Sequence, residues 1–395
     1  MNGAHTISAY RGKKNDFTER VFKKNGVKKG GRGEISLLAA VLALALIGTV
    51  FIYSASNYTA EKTYGDPFFF VKKQLVGVSL GTVAMLIAAN FDYRKLKKLT
   101  LPVAIVTVVL LALVFVPNVG VENYGAKRWI GFGAFTLQPS EIAKLSLIMF
   151  AAAYFAKNPE RANSFKGILP VLGYGMLLCG LIILEPNMSI TVCVATLTLT
   201  IIFAAGAKIK HLALLLLPAA VFAVILILAE PYRLKRLAAF IDPWANPKGE
   251  GYQLLQSLYA LGSGGWFGVG LFNSRQKYSF LPFAESDFIL SVIGEETGFI
   301  GLLFFFGLVG FIIFKGIKIA GEANDFYGEL LAVGITMIFG IQAVVNALVV
   351  TGSIPPTGLP LPLVSSGNTS IIIFMAEFGV VYNVSARSRP PFGGV

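Results

Sequence analysis

The sequence predicts an all-α polytopic membrane protein of ten transmembrane helices, with both termini cytoplasmic and a large external loop between helices 7 and 8. Three observations carry that prediction. Of 395 residues, 55% are hydrophobic and 14% charged, and the mean hydropathy is +0.69, a balance foreign to soluble domains of this size. The apolar residues gather in runs of bilayer-spanning length. The Lys/Arg excess behind the net charge of +13 falls largely in short loops on one side, which is the positive-inside pattern rather than a nucleic-acid footprint. Two cysteines (Cys179, Cys193) and two histidines (His5, His211) are too scattered for a zinc site or a disulfide framework. Acid–base chemistry therefore falls to carboxylates or lysines.

Residues 1–33 hold nine Lys/Arg against Asp16 and Glu19 and contain no apolar h-region, so they read as a basic cytoplasmic tail that brushes anionic lipid rather than a cleaved signal. The membrane domain spans 34–386. Its apolar runs cover about 35–56, 68–90, 99–117, 138–156, 167–184, 188–206, 212–230, 287–316, 328–350 and 369–385. Arg94, Lys95, Lys97 and Lys98, then Lys157, Arg161 and Lys166, then Lys208 and Lys210 follow even-numbered runs, which sets the orientation. Glu185-Pro186-Asn187 is so short a turn that runs five and six must be antiparallel neighbours. The external loop, 231–286, exceeds the usual loop length several-fold and is expected to be functional. In it, Tyr232 to Ile241 and Gln253 to Leu261 read as amphipathic helices at the interface, and Gly262 to Gly270 as a flexible, close-approach segment. A short cytoplasmic tail, 387–395, ends the chain.

The stretch from Tyr278 to Gly301 passes from a polar, Pro-containing loop into an apolar helix expected to be unbroken. Asp287 sits at that junction, with Glu285 outside it and Glu295 and Glu296 deeper. Ser286 and Asp287 would both serve as helix caps. Ionisable groups near the membrane are costly, however, and Arg275 and Lys277 lie just upstream, so Asp287 is equally a candidate functional carboxylate facing a lipid-anchored substrate. Glu141 and Lys144 fall three apart on one helical face begun by Pro139. They form either a buried ion pair or, from Lys144, a contact to an external phosphate. Lys72, Lys73 and Gln74, and Lys127-Arg128-Trp129, put cations on the outer side, against the positive-inside trend, and suggest an anion there. Glu185 and Glu377 lie near or within helices, and Glu377 reads as a buried structural partner. The last outer loop, Thr351 to Ser370, is uncharged and rich in Pro, Gly and hydroxyls, among them Ser365 and Ser366, and suits a rigid wall against a sugar or pyrophosphate.

Taken together, GAKRW (125–129), QPSEIAK (138–144), LEPNMS (184–189), the run from Ile241 to Leu271, the run from Ser274 to Gly301 and TGSIPPTGLPLPLVSSGNTS (351–370) resemble the SEDS family of bacterial envelope proteins (shape, elongation, division and sporulation). The resemblance covers 35–387 and is nearest in pattern to its FtsW and SpoVE branch. It implies a peptidoglycan glycosyltransferase of the bacterial plasma membrane, working at the outer face. Such an enzyme joins lipid II units into glycan strands and releases undecaprenyl pyrophosphate, in division, elongation or sporulation. It also implies that the aspartate at the position of Asp287 is essential, as general base, and that a class B penicillin-binding protein supplies cross-linking. Arg275, Lys277, Lys73, Arg128 and Lys144 are the cations expected to hold pyrophosphate, with Glu141, Ser365 and Ser366 as further substrate contacts. A divalent cation, Mg or Mn, would sit at Asp287, because hard cations take carboxylate and phosphate oxygens together. A lipid II flippase and a non-catalytic scaffold for the transpeptidase are the alternatives. Two departures stand out. The family usually has Pro-Asp-x-Gly where this chain has Pro186-Asn187-Met188-Ser189, and Ser-Tyr-Gly-Gly where it has Ser365-Ser366-Gly367-Asn368. Ser274-x-x-Lys277 matches a nucleophile pattern by chance, its companion motifs being absent.

Overall fold

A computed structural model describes residues 33–388 apart from 118, 124–125, 133–134, 216, 218–227, 229–230, 250 and 279. Among the described residues the helices are α1 (Ile35–Tyr64), α2 (Phe69–Asn90), α3 (Tyr93–Leu113), α4 (Pro139–Lys157), α5 (Phe165–Leu184), α6 (Met188–Ala204), α7 (Pro231–Ile241), α8 (Tyr252–Gly264), α9 (Ile289–Gly321), α10 (Phe326–Val350) and α11 (Asn368–Ser388). Seven of them (α1, α2, α3, α5, α9, α10 and α11) are long and apolar enough to cross a membrane, and α6 is a shorter apolar helix. The seventh expected run, 212–230, lies mostly outside the described residues.

Local chemistry starts these helices where the sequence places polar caps. Asp92 accepts the amide of Arg94 to open α3, Ser164 that of Gly167 for α5, and Asp325 that of Gly328 for α10. Pro139 begins α4 where its missing N–H costs nothing. Apolar side chains such as Ile87 and Phe304 remain exposed on the helix surfaces, as they must where the surrounding solvent is hydrocarbon.

The expectation of a purely helical protein needs correcting. Between α3 and α4 the chain forms a small antiparallel sheet, β1 (Gly120–Asn123), β2 (Ala126–Phe132) and β3 (Phe135–Leu137), in the order β1-β2-β3. The loop is long enough to pair with itself, and Thr369 Oγ1 donates to Thr136 O at 2.7 Å, tying the sheet to α11.

The expected unbroken helix after Asp287 is also corrected. Gly298 interrupts α9 with φ 66° and ψ −169°, a region essentially confined to glycine. The glycine-rich segment after α8 fills the break and takes over its hydrogen bonds. Val269 and Gly270 donate to Glu295 O and Glu296 O at 3.0 and 3.1 Å, while Phe299 and Ile300 donate to Gly265 O and Trp266 O at 2.9 and 3.1 Å. A Cβ on Gly298 would stand 2.3 Å from Gly268 N. Gly298→Ala is therefore expected to destabilise the protein by more than about 2 kcal/mol, read as a fall in Tm; an unchanged Tm would contradict this account of the break. The same docking draws α8 inward: Leu254 and Leu255 are buried, and Ser257 donates to Val350 O at 2.6 Å. Of the two helices expected at the interface, α8 is thus packed into the bundle.

At the end of the bundle remote from Asp287, Lys315 pairs with Glu34 at 2.9 Å and Arg387 with Asp92 at 3.3 Å. Arg94 Nε meets Asp325 at 3.3 Å, and Tyr93 donates to the same carboxylate at 2.5 Å. These contacts bind the ends of α1, α2, α3, α9, α10 and α11 together.

Candidate active site

Four segments bear on Asp287: α10, the loop that follows it, β2 and α7. The residue does not cap α9, whose N-cap is Phe288 with no side-chain cap bond. Its carboxylate is left for other work, and Ser286 Oγ donates to it at 3.3 Å. Asn346, from the last turns of α10, fixes the backbone: its Nδ2 donates to Asp287 O and to Leu359 O, both at 2.8 Å. The loop between α10 and α11 closes against the same segment. Ser365 Oγ donates to Ser286 O at 2.5 Å and accepts from Leu361 N at 2.8 Å, while Ser366 N donates to Glu285 O at 2.9 Å. Ser365 is thus a latch between the two loops rather than an open substrate contact, and Ser366 joins the latch through its backbone.

The charges of two arginines reach the carboxylate. Arg128, on β2, donates from Nε to Glu185 O at 3.3 Å and from Nη2 to Pro186 O at 2.6 Å. Arg236, on α7, donates to Pro356 O at 3.3 Å. Burial pushes the Asp287 carboxyl up to about 6, against the Ser286 hydrogen bond and the charges of Arg128 and Arg236, with Glu285 adding to the rise. A carboxylate near the operating pH, beside two cations, can take a proton from a hydroxyl and hold an anionic leaving group in one place. A Cβ on Gly358 would sit 3.1 Å from Asp287 Oδ2. Gly358→Val is expected to displace the carboxyl and lower kcat about tenfold with little change in melting temperature; an unaltered kcat would show that the loop does not set the carboxyl's position.

The other expected site residues are placed differently. Lys144 and Glu141 form an ion pair at 2.8 Å with both side chains 1% exposed. Lys144 also donates to Gln342 Oε1 at 3.2 Å and stands 4.9 Å from the Phe374 ring centroid. Its ammonium is committed inside the bundle, so the expected reach to an external phosphate is corrected to a buried pair. Lys277 is likewise buried. It donates to Phe272 O at 2.5 Å and to Ser54 Oγ at 3.4 Å, and lies 3.7 Å from Glu296. Burial lowers its pKa. Glu295 gathers the neighbouring loop, accepting from Ser274 Oγ at 2.5 Å and from Arg275 N at 3.0 Å. Lys277 therefore anchors the loop before Asp287, and Ser274 is structural. Arg275 is exposed. Lys73 is exposed beside the Phe69 ring, 4.3 Å from its centroid. Lys72, its neighbour, pairs with Asp66 at 2.7 Å.

Among the described residues no three His, Cys, Asp or Glu side chains gather as a metal site. The charges that reach Asp287 from Arg128 and Arg236 are positive, so the donor set does not fit a protein-held divalent ion.

The sequence reading missed Arg236, Asn346 and Gly358. Asn346 carried a signal, being an amide inside an apolar run. Arg236 was hidden among the cations of an amphipathic helix, and Gly358 among the other turn-formers of its loop.

Residues 35–390 match the family model FTSW_RODA_SPOVE, described as a cell cycle protein. The chain belongs to this family. It is 40% identical to a probable peptidoglycan glycosyltransferase FtsW of Trichlorobacter lovleyi, over 89% of this chain and 93% of that one. It is 39% identical to the stage V sporulation protein E of Bacillus subtilis, over 90% and 98%. Among solved structures it superposes with a TM-score of 0.75 at 29% identity on a chain described under "Structural coordination of polymerization and crosslinking by a peptidoglycan synthase complex", covering 90% of this chain and 98% of that one. With the rod shape determining protein RodA of Thermus thermophilus the TM-score is 0.65 at 28% identity, covering 90% and 97%. The FtsW/RodA/SpoVE match covers the whole bundle and every segment that meets at Asp287.

Proposed function

We propose that this FtsW/RodA/SpoVE protein is a peptidoglycan glycosyltransferase that polymerises lipid II at the outer face of the bacterial plasma membrane, with Asp287 as general base. The observation that carries the reading is the Asp287 carboxylate, at one end of a membrane-spanning bundle and under the charges of both Arg128 and Arg236. The acceptor's 4-hydroxyl attacks the anomeric carbon of the donor. Its proton passes to Asp287, the bond from that carbon to the phosphate oxygen breaks, and undecaprenyl pyrophosphate leaves with the electron pair, inverting the centre. Arg128 and Arg236 stabilise the departing charge, with Arg275 and Lys73 as outer contacts. The pyrophosphate linkage already activates the donor, so no nucleotide is needed.

The relatives' names support this activity, and the contacts that bind the remote ends of six helices favour it over a flippase, which must open both faces in turn. A class B penicillin-binding protein is the proposed partner, since this chain carries no transpeptidase motif set. The test is purified protein with labelled lipid II, with and without the cognate transpeptidase. Glycan strands made in its presence support the reading; labelled lipid II moved across a bilayer with no strands formed would favour the flippase.

A further inference from the structure

We propose that Glu185 is a positioning residue that governs how much of the Arg128 charge reaches the substrate's pyrophosphate. In its neutral form Glu185 leaves the guanidinium to the phosphates and Asp287; ionised, it draws the guanidinium back. The inference rests on the polymerase reading given above.

The geometry begins with the tight turn between α5 and α6. Its backbone holds Arg128 through Glu185 O and Pro186 O. The Glu185 side chain is 0% exposed, and neither carboxyl oxygen has a hydrogen-bond partner. The turn has no second carboxylate, because the position where the family usually carries Asp is Asn187, whose Oδ1 accepts from Ile190 N at 3.4 Å and caps α6. Among the described residues, Arg128 is the charged group that acts on Glu185, and it acts on Asp287 as well. One guanidinium therefore acts on two carboxyls.

An unpartnered carboxyl out of water resists ionising. Burial pushes Glu185 up to about 8, opposed by Arg128. Asp287, at about 6, is ionised at neutral pH while Glu185 keeps its proton. As the pH rises through about 8, Glu185 gains a charge that Arg128 must compensate. The attraction between Arg128 and a bound pyrophosphate then weakens.

The experiment measures binding of undecaprenyl pyrophosphate to the full-length protein in nanodiscs, from neutral pH to about pH 9.5, for wild type, Glu185→Gln and Glu185→Leu. The leucine variant keeps the buried volume filled if the amide impairs folding. Wild-type affinity is expected to weaken above the break by up to about tenfold per pH unit, with no such break in either variant. A break that persists in a folded variant, no break in the wild type, or no binding of the probe at any pH overturns the proposal. Strand synthesis is assayed separately. A wild type that binds the probe with the expected break but makes no strands would sink the polymerase reading and leave the role of Glu185 standing.

Discussion

Polymerisation by the wild-type protein is expected to fall away as the pH drops through about 6, and Arg236→Gln is expected to move that acid limb to higher pH. The base must be ionised to accept a proton, so activity is present above its pKa and lost below it. Burial holds Asp287 above the ordinary aspartate value, while Arg236 and Arg128 pull it down. Removing one guanidinium leaves burial less opposed, and the carboxyl keeps its proton to higher pH. Asp287→Asn, which has no proton to exchange in this range, should lose about 100- to 10,000-fold in kcat. A pH–rate profile of strand synthesis checks the three proteins together. An acid limb unmoved by Arg236→Gln would separate the arginine from the base.

The second large effect belongs to the buried pair of α4. Lys144→Ala leaves Glu141 charged and unpaired inside the bundle, which is expected to cost about 3–5 kcal/mol of stability. Glu141→Ala strands Lys144 in the same way, although Gln342 Oε1 and the Phe374 face remain beside it. The double variant should melt above Lys144→Ala, because removing both charges removes the desolvation penalty with the attraction. Glu377 lies 1% exposed on α11, with neither carboxyl oxygen hydrogen-bonded, so Glu141→Ala is expected to be the milder single change, the remaining carboxyl being able to answer Lys144. Thermal melting of the three variants measures this. A double variant no more stable than Lys144→Ala would mean that the ammonium has a role beyond neutralising Glu141.

The seven runs that emerge as helices long and apolar enough to cross a membrane were legible because hydrocarbon imposes length and composition on each segment alone. Runs as different as 35–56 and 328–350 emerge as α1 and α10, each extended at an end that the polar caps and interfacial residues allow. The break at Gly298 was not legible, since it exists only because residues 264–270, distant in sequence, supply its hydrogen bonds. Asp287 could be found from its place at the edge of an apolar run. Its neighbours could not, because Arg128 and Arg236 arrive from a strand and an amphipathic helix whose relation to it is tertiary. For the same reason Lys144 and Lys277 resembled phosphate ligands in the sequence. Whether a lysine faces a substrate or a glutamate depends on packing, and here Glu141 and Glu296 receive them.

The most direct test of the account is synthesis of glycan strands from labelled lipid II by purified protein with its transpeptidase partner, wild type against Asp287→Asn, each shown to be folded by thermal melting. Strands from the wild type and none from a folded Asp287→Asn protein are the predicted result; strands of equal length and amount from both would contradict it.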